Sequence, residues 1–160
     1  MKKTISIIIP CLNAEKTILR TINAIKASIN FSNPVWNWEI IAVDDGSTDK
    51  TKAILSKIDG IYILSHKKNK SLSCARNTGL FHSKGSYIVF IDSDIEVAKN
   101  WFHKMLLMLT ANPNVIGVTG ALAPVPGQKI SPLNKYLFSN YRGMYKTYKQ
   151  GYLNYKSFVF

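Results

Sequence analysis

Four of the nine acidic side chains in this sequence stand in two pairs, each directly after an apolar, β-branched run. Ile40-Ile41-Ala42-Val43 leads into Asp44-Asp45-Gly46-Ser47, and Tyr87-Ile88-Val89-Phe90-Ile91 leads into Asp92-Ser93-Asp94. Carboxylates at strand ends fall where open α/β sheets bind ligands, in the crevice beyond the carboxyl edge. A spacing of two in extended backbone puts Asp92 and Asp94 on one side of the chain. Two hard oxygen donors there suit Mg²⁺ or Mn²⁺, which keep waters and complete their shell with substrate phosphates. A cation held in this way neutralises the charge that builds on a departing diphosphate. A lone Asp-x-Asp carries little weight, because such triplets also cap helices and fill turns. Asp44-Asp45-Gly46-Ser47-Thr48-Asp49 is good turn and cap chemistry too, so one of that pair has a plain structural reading. The functional reading is a carboxylate that accepts from a base N–H or a ribose hydroxyl. Arg76 reads either as an ordinary surface arginine or, near a diphosphate, as a planar fork of donors.

Short β-branched runs alternate with amphipathic stretches, the pattern of an α/β fold with a mostly parallel sheet flanked by crossover helices. Strands are expected at 5–9, 38–43, 61–64 and 87–91, with a fifth at 115–119. Asn13 is placed to cap a helix whose apolar positions are Ile18, Ile22, Ile25 and Ile29. Ser47-Thr48-Asp49 offers the cap of a short helix reaching Lys57, with Ile54 and Ile58 inward. A polar loop, 66–71, leads to a helix near 73–82. Trp101, Met105, Met108 and Leu109 mark another helix, closed by Asn112-Pro113.

The chain has 160 residues, one domain's worth, with 46% hydrophobic and 19% charged residues, which reads as globular. Its formal net charge of +12 points to an anionic partner without choosing among nucleotide, phospholipid surface and nucleic acid. No Asp or Glu follows Glu96, whereas Lys99, Lys104, Lys129, Lys135, Arg142, Lys146, Lys149 and Lys156 are all basic. Cys11 and Cys74 are far apart and lack metal-ligand spacing, so they are read as reduced thiols. The start, Met1-Lys2-Lys3-Thr4-Ile5-Ser6-Ile7-Ile8-Ile9-Pro10, has too short an apolar stretch for a signal peptide and reads as a buried strand. No apolar run approaches a membrane span. The expectation is a cytoplasmic protein, peripheral at most to the inner face of the membrane.

Four blocks together resemble the family 2 glycosyltransferases of GT-A fold. They are Ser6-Ile7-Ile8-Ile9-Pro10-Cys11-Leu12-Asn13-Ala14-Glu15, Val43-Asp44-Asp45-Gly46-Ser47-Thr48-Asp49, Ala75-Arg76-Asn77-Thr78-Gly79-Leu80 and Gly85-Ser86-Tyr87-Ile88-Val89-Phe90-Ile91-Asp92-Ser93-Asp94. The resemblance covers roughly residues 4–97. It implies a nucleotide-sugar donor, most often a UDP-sugar, and an inverting displacement in which a carboxylate base takes the proton of a glycan or lipid-linked acceptor. Pro10, Leu12, Asn13 and Glu15 would line the nucleoside side, Asp45 would lie near the base with Asp44 beside it, and Arg76 would lie near base or phosphate. Asp92 would face the ribose or sugar with Ser93 next to it. Asp94 would be the main ligand of the Mn²⁺ or Mg²⁺, with Asp92 its partner. Residues 1–123 would form the donor-binding subdomain and 124–160 a basic, Tyr-rich segment beginning the acceptor side.

Two positions depart from the family pattern. Leu12 stands where many relatives carry an aromatic that packs on the base, and Ser71 replaces a common glycine. A Gly-Gly-Phe-Asp-Glu type segment, which would bring the base, does not occur, so the GT-A fold is expected to be incomplete at its C-terminal side and to lack the catalytic base. His103, beside Trp101 and Phe102, reads as a packing or surface residue rather than a catalyst. The stretch 132–160 interleaves tyrosines with lysines. The plainer reading is a surface that packs on another part of the protein, and the rival is an interfacial patch on an anionic membrane. A metal-dependent nucleotidyltransferase ranks second, since no Gly-rich phosphate loop with a lysine is present. A non-catalytic nucleotide-sugar-binding module is a further alternative. Nucleic-acid binding explains none of the acidic clusters and is not expected.

Overall fold

The protein is described from a computed structural model, which defines residues 3–32, 35–111 and 114–120. Strand β1 (Thr4–Cys11) buries Ile5, Ile7, Ile8 and Ile9, and strand β2 (Asn37–Asp44) buries Ile40, Ile41, Ala42 and Val43. A strand covered on both faces needs an unbroken apolar run rather than alternation, which these two sequences supply. The two pair in parallel from Thr4 opposite Asn37 to Cys11 opposite Asp44. Strand β3 (Tyr62–Ser65) extends the sheet beyond β2, and β4 (Tyr87–Phe90) flanks β1 on its other side, both in parallel. The order is therefore β3-β2-β1-β4. The chain winds outward from β1 and then returns to place β4 across from β2. That reversal opens a crevice between the loops that follow β1 and β4, at the carboxyl edge.

Helix α1 (Ile18–Phe31) buries Ile18, Thr21, Ile22, Ile25 and Ser28, a helical stripe in which Ser28 takes the last inward place rather than Ile29. Its N-cap residue is Thr17, not Asn13. Asn13 instead adopts φ +50 and accepts from the Thr48 amide at 2.9 Å, so the neighbouring loop has claimed the side chain expected to cap the helix. Helix α2 (Thr51–Leu55) is short and turns Thr51 and Leu55 inward, with Ile54 and Ile58 only partly buried. Helix α3 (Leu72–His82) lies on β1 and β2 through Ala75 and Gly79. A Cβ on Gly79 would stand 2.4 Å from Ile8 Cγ2, so only glycine allows the helix this close to the sheet. Helix α4 (Trp101–Ala111) starts with Phe102 buried, its amide donating to Ser28 Oγ at 3.1 Å and its ring edge-on to Trp38 at 4.8 Å. His103 packs edge-on against Phe31, in keeping with a packing role.

Two compact units are distinguished, Met1–His103 and Lys104–Phe160. The fifth strand expected at 115–119 is not formed: residues 115–120 have no regular structure, and Ile116 is fully exposed. A β-branched run becomes a strand only when a neighbouring strand takes its ladder bonds, and among the described residues 115–119 take part in no ladder. The segment 124–160 lies outside the described residues. Among the described residues no helix is long and apolar enough to cross a membrane.

Candidate functional site

Because β1 and β2 stay in register to their last residues, the loops after them leave the sheet side by side and are laced together. The Asp45 amide donates to the Cys11 carbonyl (2.8 Å), Asn13 N–H to Ser47 Oγ (2.9 Å), Ala14 N–H to Thr51 Oγ1 (2.7 Å) and Glu15 N–H to Asp49 Oδ2 (3.0 Å). In return Glu15 Oε2 accepts from the Lys50 amide at 3.0 Å. Asn13 and Glu15 thus face the crevice while their side chains also fix its wall.

The two carboxylates of Asp44 and Asp45 are both buried but differently employed. Asp44 Oδ1 accepts from the Ser47 amide at 3.1 Å, the turn role. Asp45 reaches sideways to the loop between β3 and α3, accepting from the Lys70 amide (2.9 Å), the Ser71 amide (3.0 Å) and His66 Nδ1 (2.5 Å). Burial pushes the Asp45 carboxyl up. The bonds from His66, Lys70 and Ser71 pull it down by more, so it lies below the usual carboxylate range. The ionised carboxylate can only accept, which assigns the proton to His66 Nδ1. His66 Nε2 shares a second bond with Thr78 Oγ1 at 2.9 Å, tying β3, β2 and α3 at one point. Gly46, at φ +77, lets the 68–69 backbone pass over it, since a Cβ there would meet Lys68 C at 2.6 Å. Ser71, the position of the missing glycine, is held at φ +96 and ψ 156, a region essentially reserved for glycine, and its hydroxyl accepts from the Cys74 amide at 3.4 Å. The loop keeps its glycine shape at the cost of strain.

On the other wall, the Ile91 amide continues the ladder by donating to the Ile8 carbonyl at 3.1 Å, and the chain then turns, with Ile95 N–H bonded to the Asp92 carbonyl. The triplet Asp92-Ser93-Asp94 therefore sits in a turn rather than in the extended backbone expected. Helix α1 secures that turn, since buried Thr21 donates to the Ser93 carbonyl at 2.9 Å and Arg20 pairs with Glu96 at 3.5 Å. Arg76, from α3, donates through Nη2 to Asp92 Oδ1 at 2.8 Å and lies over the Phe90 ring.

These loops enclose a cleft of about 660 Å³ lined by Pro10, Leu12, Asn13, Glu15, Asp45, Asp92, Ser93 and Asp94 among others. Asp44 and Arg76 are not part of its lining: the first is turned into its own turn, and the second is bonded to Asp92 Oδ1. Cys11, at the cleft floor, has its thiol pushed up to about 12 by burial and by nearby Asp44, so it stays protonated. Both cysteines are free, Cys74 at the surface. Among the described residues no group of three or more His, Cys, Asp or Glu could hold a metal alone. Asp92 and Asp94 bring two hard oxygen donors to the cleft from the turn after β4, a donor set that would suit a cation arriving with ligand phosphates.

The family model described as Glycosyl transferase family 2 matches residues 6–159. The chain belongs to glycosyl transferase family 2. Among similar curated proteins, this family 2 chain is 33% identical over 140 residues to the putative teichuronic acid biosynthesis glycosyltransferase TuaG of Bacillus subtilis, covering 85% of the chain and 53% of TuaG. It is 35% identical over 111 residues to UDP-Glc:alpha-D-GlcNAc-diphosphoundecaprenol beta-1,3-glucosyltransferase WfgD of Escherichia coli, covering 68% of the chain and 42% of WfgD. The crystal structure of S. aureus TarS 1-349 in complex with UDP superposes with a TM-score of 0.61 at 25% identity, over 74% of this chain and 38% of that one. The fold is accordingly GT-A. The chain spans about half the length, or less, of these relatives.

Several residues that shape the family 2 cleft were not marked by sequence reasoning: Thr21, Thr51, His66, Asn69 and Leu72. A lone histidine in a polar loop carries no pattern, and a threonine inside an apolar helical stripe reads as core. For Thr21, Thr51 and His66 only the long-range partner reveals the part played.

Proposed function

We propose that the cleft binds the nucleoside diphosphate of a sugar nucleotide, a UDP-sugar first, and serves as the donor site of an inverting sugar transfer to a glycan or lipid-linked acceptor. One observation carries this reading: carboxylates from two strand tips, Asp45 after β2 and Asp92 and Asp94 after β4, face a single cleft. The named activity of WfgD and the UDP bound to TarS support the same donor class. Asp45 spends three acceptor positions on the protein and keeps about one for a base N–H. Leu12, 43% exposed, offers aliphatic rather than aromatic surface to that base. Mn²⁺ or Mg²⁺, held by Asp94 and Asp92, would supply positive charge against the departing diphosphate. The turn that carries both carboxylates is fixed by Thr21, and Arg76 from α3 meets it through Asp92.

Calorimetric titration with UDP, GDP and ADP, each with and without Mn²⁺, tests the reading. UDP is expected to bind tightest and to need the cation, and Asp94→Ala is expected to remove the cation dependence. Equal binding of all three nucleotides, or none, would overturn it.

A further inference from the structure

We propose that Arg76 makes cation and nucleotide binding mutually dependent, by occupying Asp92 until a diphosphate draws its guanidinium away. The inference rests on the donor-site reading above and goes beyond it. Arg76 Nη2 holds Asp92 Oδ1 at 2.8 Å, in a pair that is a third to a half exposed. Asp94, by contrast, is exposed and has no hydrogen-bond or ion-pair partner among the described residues. A cation entering alone therefore meets one free carboxylate and one already neutralised.

The pose of Arg76 is also incomplete. Its Nε is buried and has no hydrogen-bond partner among the described residues, and a buried donor left unpaired is costly. The guanidinium rests over the Phe90 ring, 5.9 Å from its centroid, a surface on which a cation can shift without losing its support. Phosphate oxygens entering the cleft offer the planar fork a second partner and a bidentate geometry. Moving toward them frees Asp92 Oδ1 to join Asp94. Linkage then requires that nucleotide raise cation affinity and cation raise nucleotide affinity by the same factor. Arg76 is a positioning residue here, acting through Asp92.

The test is Mn²⁺ binding to the 160-residue chain, read from the electron paramagnetic resonance of free Mn²⁺, without and with saturating UDP. For wild type, UDP is expected to raise Mn²⁺ affinity by about tenfold or more, within the usual range of such couplings. Arg76→Gln is expected to raise the nucleotide-free affinity about fivefold and to shrink the UDP effect, while Arg76→Lys, which keeps the charge, stays near wild type. A merely structural arginine would weaken both affinities together in Arg76→Gln, and that result overturns the proposal. Asp92→Asn reads the same contact without touching Arg76. It should change nucleotide-free Mn²⁺ affinity by less than about threefold but cost about tenfold or more with UDP present. An equal loss in both states overturns the proposal as well. Absence of UDP binding in wild type is a different failure, that of the donor-site reading itself.

Discussion

Adjacent carboxylates on β2 are divided between two tasks by the side of the chain each one faces. Asp44 closes its own turn on the Ser47 amide, whereas Asp45 gathers three donors from a loop more than twenty residues away. Asp45→Asn replaces one acceptor oxygen with a donor amide facing other donors. It should cost about 2 kcal/mol at neutral pH, the range for buried hydrogen bonds to a charged group, measured by urea unfolding. The pH dependence follows from the direction of the shift. The folded carboxyl titrates below its unfolded value, so its contribution is complete above about pH 4 and fades as pH falls through the lower, folded value. The gap between wild type and Asp45→Asn should therefore be constant near neutrality and narrow in acid. That the two acidic pairs stand at the ends of strands of one parallel sheet was legible in the sequence. Which member of each pair does what was not, because that depends on where His66, Ser71 and Arg76 arrive from α3 and its leading loop.

At the level of elements, two glycines set how closely segments approach. Gly79→Ala places a methyl against Ile8 and must lift α3 from the sheet, at about 1–3 kcal/mol for overpacking, visible as a lower urea midpoint. Gly46→Ala meets backbone rather than a side chain and also holds a positive φ, so it should disturb the 66–71 loop and weaken UDP binding more than it lowers stability. The four strands were recoverable because β1 and β2 are unbroken β-branched runs and because β3 and β4 end against polar loops. The fifth, at 115–119, is β-branched but broken by Gly117, and composition alone cannot show whether such a run finds a strand to pair with. Asn13 had the chemistry of a helix cap and lost it to Thr48, a competition that no local window contains.

For the molecule as a whole, a ligand that binds only the folded state adds to its stability by mass action. UDP with Mn²⁺ at a hundred times its dissociation constant should contribute about 2.7 kcal/mol. In a chain of this length that corresponds to a rise in melting temperature of about 5–10 °C. Calorimetry should show this rise with UDP, a smaller one with ADP, and none for Asp94→Ala when the cation is the only variable.

The neighbour of β1 on its open side is β4, which begins 76 residues after β1 ends. During synthesis the amino-terminal strands and α1 can therefore associate early, yet one wall of the crevice does not exist until the Asp92-Ser93-Asp94 turn has emerged and threaded beside Ile8. Long-range parallel pairing of this kind is slow to form. A nascent polypeptide shorter than about ninety residues would have its hydrophobic centre exposed on one flank and no capacity to capture nucleotide, so ligand cannot assist the chain before that last strand has docked.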